Sequence, residues 1–330
     1  MDRFLIIGSN SFSGAQFCKM LLSRGYNVFG VSRSAEQEMI FAPYQWDQEA
    51  SKNFQFQTLD INSDLGDFEK ILYKFQPHYI VNFAAQSMVA QSWEFPQHWV
   101  NTNVLAITKL IDILKGYDRL EKFVQVTTPE VYGSTPFKIK EETLFQPSTP
   151  YAVSRAAGDM MLKIYQEQFG LPVNFTRAAN VYGPGQQLYR IIPRTILACF
   201  TGKKLVLDGG GLSERAFIHI DDVSLATLSI AHSKLMGESF HISTDEFVSI
   251  RALVEKIVDM TGFQFGDVVT IGSERLGKDH AYLLDSTKLR ESIGWAETIS
   301  LEQGIEETIS WVKNNLQVLR TKEIGYVHKP

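Results

Sequence analysis

The sequence predicts an α/β protein, a doubly wound parallel sheet with a smaller second α/β lobe. Three observations carry this. Through residue 176, short apolar runs alternate with longer stretches of helical periodicity. A turn with glycine at each end, Gly8-Ser-Asn-Ser-Phe-Ser-Gly14, joins the first apolar run to the first helical stretch. From about residue 177 the rhythm breaks at Gly183-Pro-Gly185 and Gly209-Gly-Gly211, then helical patterns return.

Each element follows in order. Phe4–Ile7 is wholly apolar, as a strand covered on both faces must be. Ser13–Arg24 sets Phe17, Met20, Leu21 and Leu22 toward one side, and Gly25 supplies a helix stop. Val28–Val31 and Phe54–Leu59 read as the second and third strands. Leu65–Phe75 reads as a helix and Tyr79–Phe83 as the fourth strand. Gln97–Lys115 carries Val100, Val104, Ile107, Leu110, Ile111 and Leu114 at helical spacing. Phe123–Thr127 is a fifth strand, Tyr151–Phe169 a long helix, and Val173–Thr176 a sixth strand. Ala216–Ile220 and Ser239–Ile242 are expected to return to the main sheet, and Ile250–Thr261 and Leu301–Leu316 to be helical. The expected division is a Rossmann domain over 1–176 plus about 215–243, with a substrate lobe over 177–214 and 244–330.

Composition narrows the function. The chain has 330 residues, 44% hydrophobic and 21% charged, which excludes disorder, collagen and coiled coil. Its net charge is -5 without a basic block, so no nucleic-acid partner is expected. No apolar run is long enough to span a membrane, and the apolar start is too short for a signal-peptide core. Two cysteines, Cys18 and Cys199, make neither a disulfide framework nor a zinc site, and a reducing cytoplasm is the expected compartment.

In a doubly wound sheet, ligands sit beyond the carboxyl ends of the strands. Gly8, Ser11, Phe12 and Gly14 occupy the turn where a diphosphate would rest on the N-terminus of a helix. Ser11 replaces the middle glycine of the usual three, and a positive φ there would strain it. The second strand ends Val31-Ser-Arg-Ser34 without the acid an NAD site usually carries. Arg33 suits the 2′-phosphate of NADP, or is a solvated residue after a strand. Asp60, before Ile61, could accept from an adenine amino group or cap the next segment. At the fifth strand's end lies Thr127-Thr-Pro-Glu-Val-Tyr-Gly133, and Tyr151-Ala-Val-Ser-Arg155 opens the long helix. Residues four apart share a helix face, so Arg155 can favour the phenolate of Tyr151 and make it a base.

These segments, with Asn180-Val-Tyr-Gly-Pro184, occur in one chain in this order. Together they resemble the extended short-chain dehydrogenase/reductases, the NAD(P)-dependent nucleotide-sugar epimerase/dehydratase family. The likeness covers essentially the whole chain and is closest to the 4,6-dehydratases of the dTDP-glucose and GDP-mannose kinds. The resemblance implies a tightly bound, recycled NAD(P)+, with NADP+ favoured by Arg33, and a nucleotide-diphosphate sugar as substrate. It implies Tyr151 as the base at the C4 hydroxyl, Thr128 on the 4-oxygen, Glu130 as the C5 base, and Arg155 in place of the family lysine. It also implies Ala84 at the cofactor, and Gln86, Asn180, Arg190, Arg215 and Arg275 at the substrate. Gln86 resembles the GDP-mannose enzymes, whereas dTDP-glucose enzymes more often carry Glu. Pro129 departs from both, standing where they have serine or aspartate, so Glu130 or a water must protonate the leaving hydroxyl. A homodimer through a four-helix bundle is implied as well. A 4-epimerase, a 4-keto reductase and a catalytically silent NAD(P)-binding protein are the competing readings.

Overall fold

The structure is a computed structural model that describes residues 2–134, 137–141, 144–273 and 283–330. The strands of its first part are β1 (Arg3–Ile7), β2 (Asn27–Ser32), β3 (Phe54–Thr58), β4 (Tyr79–Asn82), β5 (Lys122–Thr127) and β6 (Val173–Ala178). The helices among them are α1 (Phe12–Ser23), α2 (Leu65–Phe75), α3 (Val89–Glu94), α4 (Pro96–Val100), α5 (Ile107–Leu114) and α6 (Pro150–Phe169). Then come β7 (Asn180–Tyr182), α7 (Ile191–Thr201), β8 (Leu205–Asp208), β9 (Glu214–Arg215), β10 (Phe217–His219), α8 (Ile220–His232) and β11 (Ser239–Ile242). The chain continues through β12 (Val248–Ser249), α9 (Ile250–Thr261), α10 (Phe265–Val268), β13 (Val269–Gly272), α11 (Thr287–Ile293), α12 (Leu301–Asn314) and α13 (Leu316–Leu319).

The central sheet has seven parallel strands in the order β11-β6-β5-β4-β1-β2-β3, the doubly wound arrangement expected. Alternation along β1 explains its two covered faces. Phe4 and Ile6 pack with Phe17 and Leu21 of α1 and Val223 and Ala226 of α8. Leu5 and Ile7 face the opposite layer, with Phe68 of α2, Leu110 of α5 and Leu162 of α6. A separate core joins Ile192 and Ile196 of α7, Leu253 and Ile257 of α9, and Ile305 and Ile309 of α12.

Two expectations are corrected. Ser239–Ile242 returns to the main sheet beside β6, but Ala216–Ile220 does not. Once β11 occupies the edge of β6, that edge is closed. Phe217–His219 instead pairs with Asn180–Tyr182, in a small parallel ladder beyond the sheet. The helix expected over Gln97–Lys115 forms without a break, but it is not regular α-helix throughout. Asn101–Ala106 widens into a π-helix between α4 and α5. The wide turn brings buried Asn103 to the chain beyond β4. Its Oδ1 accepts from Gln86 N at 3.0 Å, and its Nδ2 donates to Gln86 O at 3.0 Å and to Ser154 Oγ at 2.9 Å.

Asp222 ties α8 to the segment before α12. It is buried and accepts from Thr298 N at 3.0 Å, Thr298 Oγ1 at 2.8 Å and Ile299 N at 3.1 Å. Asp222→Ala strands these donors and is expected to cost about 3 kcal/mol. A matching fall in the urea midpoint, at an unchanged slope, checks it.

Candidate active site

The site begins at a tight turn after β1. Gly8 has φ +83°, and a Cβ there would lie 2.6 Å from the main-chain nitrogen of Ala84. At Gly14 a Cβ would meet the Gly8 carbonyl oxygen at 2.3 Å. Both positions therefore require glycine. Ser11 between them does not, because its φ is -71° and the expected strain is absent. Its hydroxyl donates to Gly8 O at 2.8 Å and accepts from Gly14 N at 3.0 Å, capping α1. The first turn of α1 thus faces the carboxyl ends of the strands, where its N–H groups favour an anion.

A cavity of about 290 Å³ lies there, walled by Gly8, Ser11, Arg33, Asp60, Ile61, Ala84 and Gln86 among others. Phe12 is buried but does not line it. Asp60 Oδ1 accepts from Asn62 N at 2.9 Å and Asn62 Nδ2 at 2.8 Å, so its carboxylate shapes the turn while bordering the cavity. Arg33 is exposed, but its guanidinium is already engaged. Its guanidinium donates to the main-chain oxygens of Pro330 and, at 3.2 Å, Lys329. Two acceptors on the wall, Asn10 Oδ1 and Asn62 Oδ1, are buried without hydrogen-bond partners. Unfilled acceptors, a helix N-terminus and a floor that admits no Cβ together suit the hydroxyls, amino group and diphosphate of a dinucleotide.

The catalytic candidates meet at the end of β5. Thr128 caps a 3₁₀ turn over Pro129–Tyr132, where proline fits the first position. Thr128 Oγ1 accepts from Glu130 N at 3.2 Å. Opposite, Thr149 caps α6 by accepting from Ala152 N at 3.1 Å, which starts the helix with Tyr151 in its first turn. The side chains of Tyr151 and Thr128 are neighbours, and both are buried. Burial pushes the Tyr151 phenol up; the Arg155 guanidinium opposes that rise, the Glu130 carboxylate adds to it, and Arg190 pulls down weakly.

Arg155 is buried, and its guanidinium donates to the Val126 carbonyl while Nε has no partner. Four residues further along α6 is Asp159, which sequence reasoning missed. Its Oδ2 accepts from Thr127 Oγ1 at 2.9 Å and from Arg177 at 2.7 Å. Burial raises the Asp159 carboxyl, while Arg177 and then Arg155 hold it down. The continuation of the Tyr151–Arg155 spacing was the available signal. Asn103, which holds the Gln86 backbone, gave none. A larger cavity, about 680 Å³, borders Asp159, Arg177 and Lys163 but holds none of the predicted site residues.

The remaining candidates are scattered. Exposed Arg190 lies over the Tyr189 ring, 5.3 Å from its centroid, and its charge acts on Tyr151. Asn180 is in β7, its N–H on Ala216 O at 3.1 Å, and Arg215 in β9 donates to Glu214 O at 2.7 Å. Neither lines the cavity with Gly8, although the β7–β10 ladder adjoins α8. Arg275 lies outside the described residues.

Comparison with known proteins now decides the family. The model for GDP-mannose 4,6-dehydratase matches residues 5–308. The chain belongs to that family. Within it, the chain is 26% identical to a dTDP-glucose 4,6-dehydratase of Xanthomonas campestris pv. campestris, over 96% of this chain and 94% of that one. The solved dTDP-glucose 4,6-dehydratase of Streptomyces venezuelae with NAD bound superposes with a TM-score of 0.87. It is 28% identical, over 96% of this chain and 98% of that one. A Bacillus cereus UDP-glucuronic acid 4-epimerase, in complex with UDP-glucuronic acid and NAD, gives a TM-score of 0.86. Identity there is 25%, over 94% of this chain and 99% of the epimerase. These agree with the resemblance read from the sequence.

For a member of the GDP-mannose 4,6-dehydratase family, the cation beside the tyrosine is the part to test. Arg155→Gln removes the charge that favours the phenolate, so Tyr151 is expected to titrate at higher pH than in the parent protein. Arg155→Lys restores the charge and is expected to return the titration toward the parent. NMR of ¹³Cζ-labelled tyrosine follows both. An unmoved Tyr151 resonance in Arg155→Gln would show that the guanidinium does not act on the phenol.

Proposed function

We propose that the protein is a nucleotide-sugar 4,6-dehydratase that keeps its nicotinamide cofactor through each cycle. The observation that carries this reading is the buried Thr128–Tyr151 pair at the end of β5, with Glu130 beside Thr128 in one short turn. When bound, the oxidised cofactor accepts a hydride from the sugar C4 and returns it at C6. Tyr151 takes the proton of the C4 hydroxyl, and Thr128 donates to the oxygen that becomes a carbonyl. Glu130 takes the acidified C5 proton and delivers it to the C6 hydroxyl, which leaves as water; as hydride reaches C6, the same carboxyl relays a proton from solvent back to C5. Proline at 129 cannot take the acid role, so one carboxyl performs both transfers.

The cofactor is held at Gly8, Ser11, Gly14, Asp60, Ile61 and Ala84. We take it as NAD: the Arg33 fork is already on main-chain oxygens, and relatives were solved with NAD. The NADP preference expected from Arg33 has no support from those relatives. Asn180, Arg190 and Arg275, in the lobe formed by 177–214 and 244–330, are assigned to the sugar nucleotide, with Gln86 and Arg215 from the Rossmann domain. Its base is left to experiment among GDP, dTDP, UDP and CDP.

Incubation with the four nucleotide hexoses in heavy water, without added cofactor, tests the reaction. The expected product has lost one water and gained one deuterium at C5. Inversion at C4 without exchange would replace this reading with a 4-epimerase. Glu130→Gln is expected to lower kcat by about 10²–10³-fold, the range of lost acid–base catalysis, with sugar-nucleotide binding retained.

A homodimer is also proposed. Val153, Met160 and Ile164 of α6, with Val100 and Leu105 nearby in sequence on the α4–α5 stretch, expose apolar side chains. Light scattering is expected to give twice the 37.4 kDa chain mass, and α6 substitutions Met160→Glu with Ile164→Glu to return it to one.

A further inference from the structure

The cavity beside Gly8 has a wall that no glycine motif supplies. Tyr326, Val327 and Lys329 line it together with Gly8, Ser11 and Ala84. The segment reaches this place from the second lobe, where Leu319 is buried and Ile324 packs against the same core. Tyr326 meets Tyr189 edge-on, with ring centroids 5.7 Å apart. His328 is then held in an aromatic cluster. Its ring stacks with Trp99 at 5.2 Å and 15°, and with Phe95 at 5.2 Å and 9°. Its Nε2 also lies 2.9 Å from Nδ1 of His98, in hydrogen-bond contact.

Beyond that anchor, the segment bridges two sides of the site. Lys329 O accepts from Gln86 Nε2 at 2.8 Å, on the loop after β4, and from Arg33 at 3.2 Å, after β2. The Pro330 main-chain oxygen accepts from Arg33 as well, and Lys329 Nζ approaches Ser34 Oγ at 3.4 Å. The ends of β2 and β4 flank β1, so the bridge passes over the Gly8 turn. The cavity is bounded by that turn and by the segment together. The segment is therefore a roof above the groove, with space kept beneath it, rather than filling for it.

On the reading that this groove holds a nicotinamide dinucleotide, we propose that Tyr326–Pro330 is a strap over its adenosine half, with His328 as the anchor and Lys329 as the bridge. The strap must lift before the dinucleotide leaves. Entry breaks at least the Gln86 and Arg33 bonds to Lys329; release breaks these together with the contacts of the lining residues Tyr326, Val327 and Lys329 to the bound dinucleotide, so release is slowed more than entry. A retained cofactor suits a reaction that returns the hydride to the same molecule. His328 and Lys329 are then positioning residues, remote from the proton transfers of Thr128, Glu130 and Tyr151.

The test compares the full chain, His328→Ala, and a variant ending at Gly325. NAD release is followed by stopped-flow displacement, and equilibrium affinities for NAD and NADP by calorimetry. The strap predicts release at least about tenfold faster in both variants, with association changed less than threefold. Unchanged release, with NAD still bound by all three proteins, overturns the strap alone. Tighter binding in the variants also overturns it and makes the segment an occluding plug. Failure of all three proteins to bind either dinucleotide overturns the cofactor reading of the groove, and the strap falls with it.

Discussion

One buried carboxylate fixes how the long helix sits on the sheet. Asp159 joins α6 to β5 through Thr127 and to β6 through Arg177, and it faces the charge of Arg155. Two guanidinium groups and one carboxylate lie out of water there, all nearly inaccessible. Removing one partner of such a pair costs about 3–5 kcal/mol, because the other is left charged and buried. The helix therefore has one register on the sheet. Tyr151 lies two turns before Asp159 on the same face, so that register carries the phenol to Thr128. Arg177 is itself set by stacking, its guanidinium 5.5 Å from the Tyr132 ring and 5.1 Å from the Phe145 ring. The Pro129–Tyr132 turn and the helix are thus locked by the same cation.

The strands and the helices between them were legible because each face of the sheet needs its own apolar set. Phe4 and Ile6 against Leu5 and Ile7 illustrate the rule, and the two sets meet different helices. The Gly8 turn was legible because its glycines are demanded by backbone contact. Pairing at the sheet edge was not. Phe217 and Ile218 are as apolar as residues of a central strand, yet β11 holds the edge beside β6 and Phe217–His219 pairs with β7. The π-helix was equally hidden, since Asn101–Ala106 keeps helical periodicity while its extra width answers a partner elsewhere, the Gln86 backbone.

At the site, local spacing conveyed the reactive groups, while distant contacts conveyed nothing. Tyr151, Arg155, Thr128 and Glu130 lie in two short segments, and the structure brings Thr128, Glu130 and Tyr151 together at one turn. Arg33 shows the limit. Its side chain and position fit a 2′-phosphate, yet its partners are main-chain oxygens nearly three hundred residues away. No pattern around residue 33 announces a carbonyl from residue 329. Asp60 is intermediate: its turn-forming bonds to Asn62 are local and were one of the two readings, and they leave the residue at the cavity wall.

Arginine for lysine and proline for an acid look like independent losses, but their physical consequences differ. Arg155 keeps its cation, and burial makes that charge more effective on a neighbouring phenol than it would be in water. Its bulk is absorbed sideways, toward the Val126 carbonyl, rather than into the space beside Tyr151. Pro129 removes a side-chain donor but fixes the first position of the turn that presents Glu130. On the proposed reaction, a stiffer turn would hold the carboxyl in one place for both transfers, from one carbon and to the oxygen on the next. The proton need travel only between adjacent carbons. On that reading a single well-placed carboxyl would suffice, provided that the turn does not move between the two transfers.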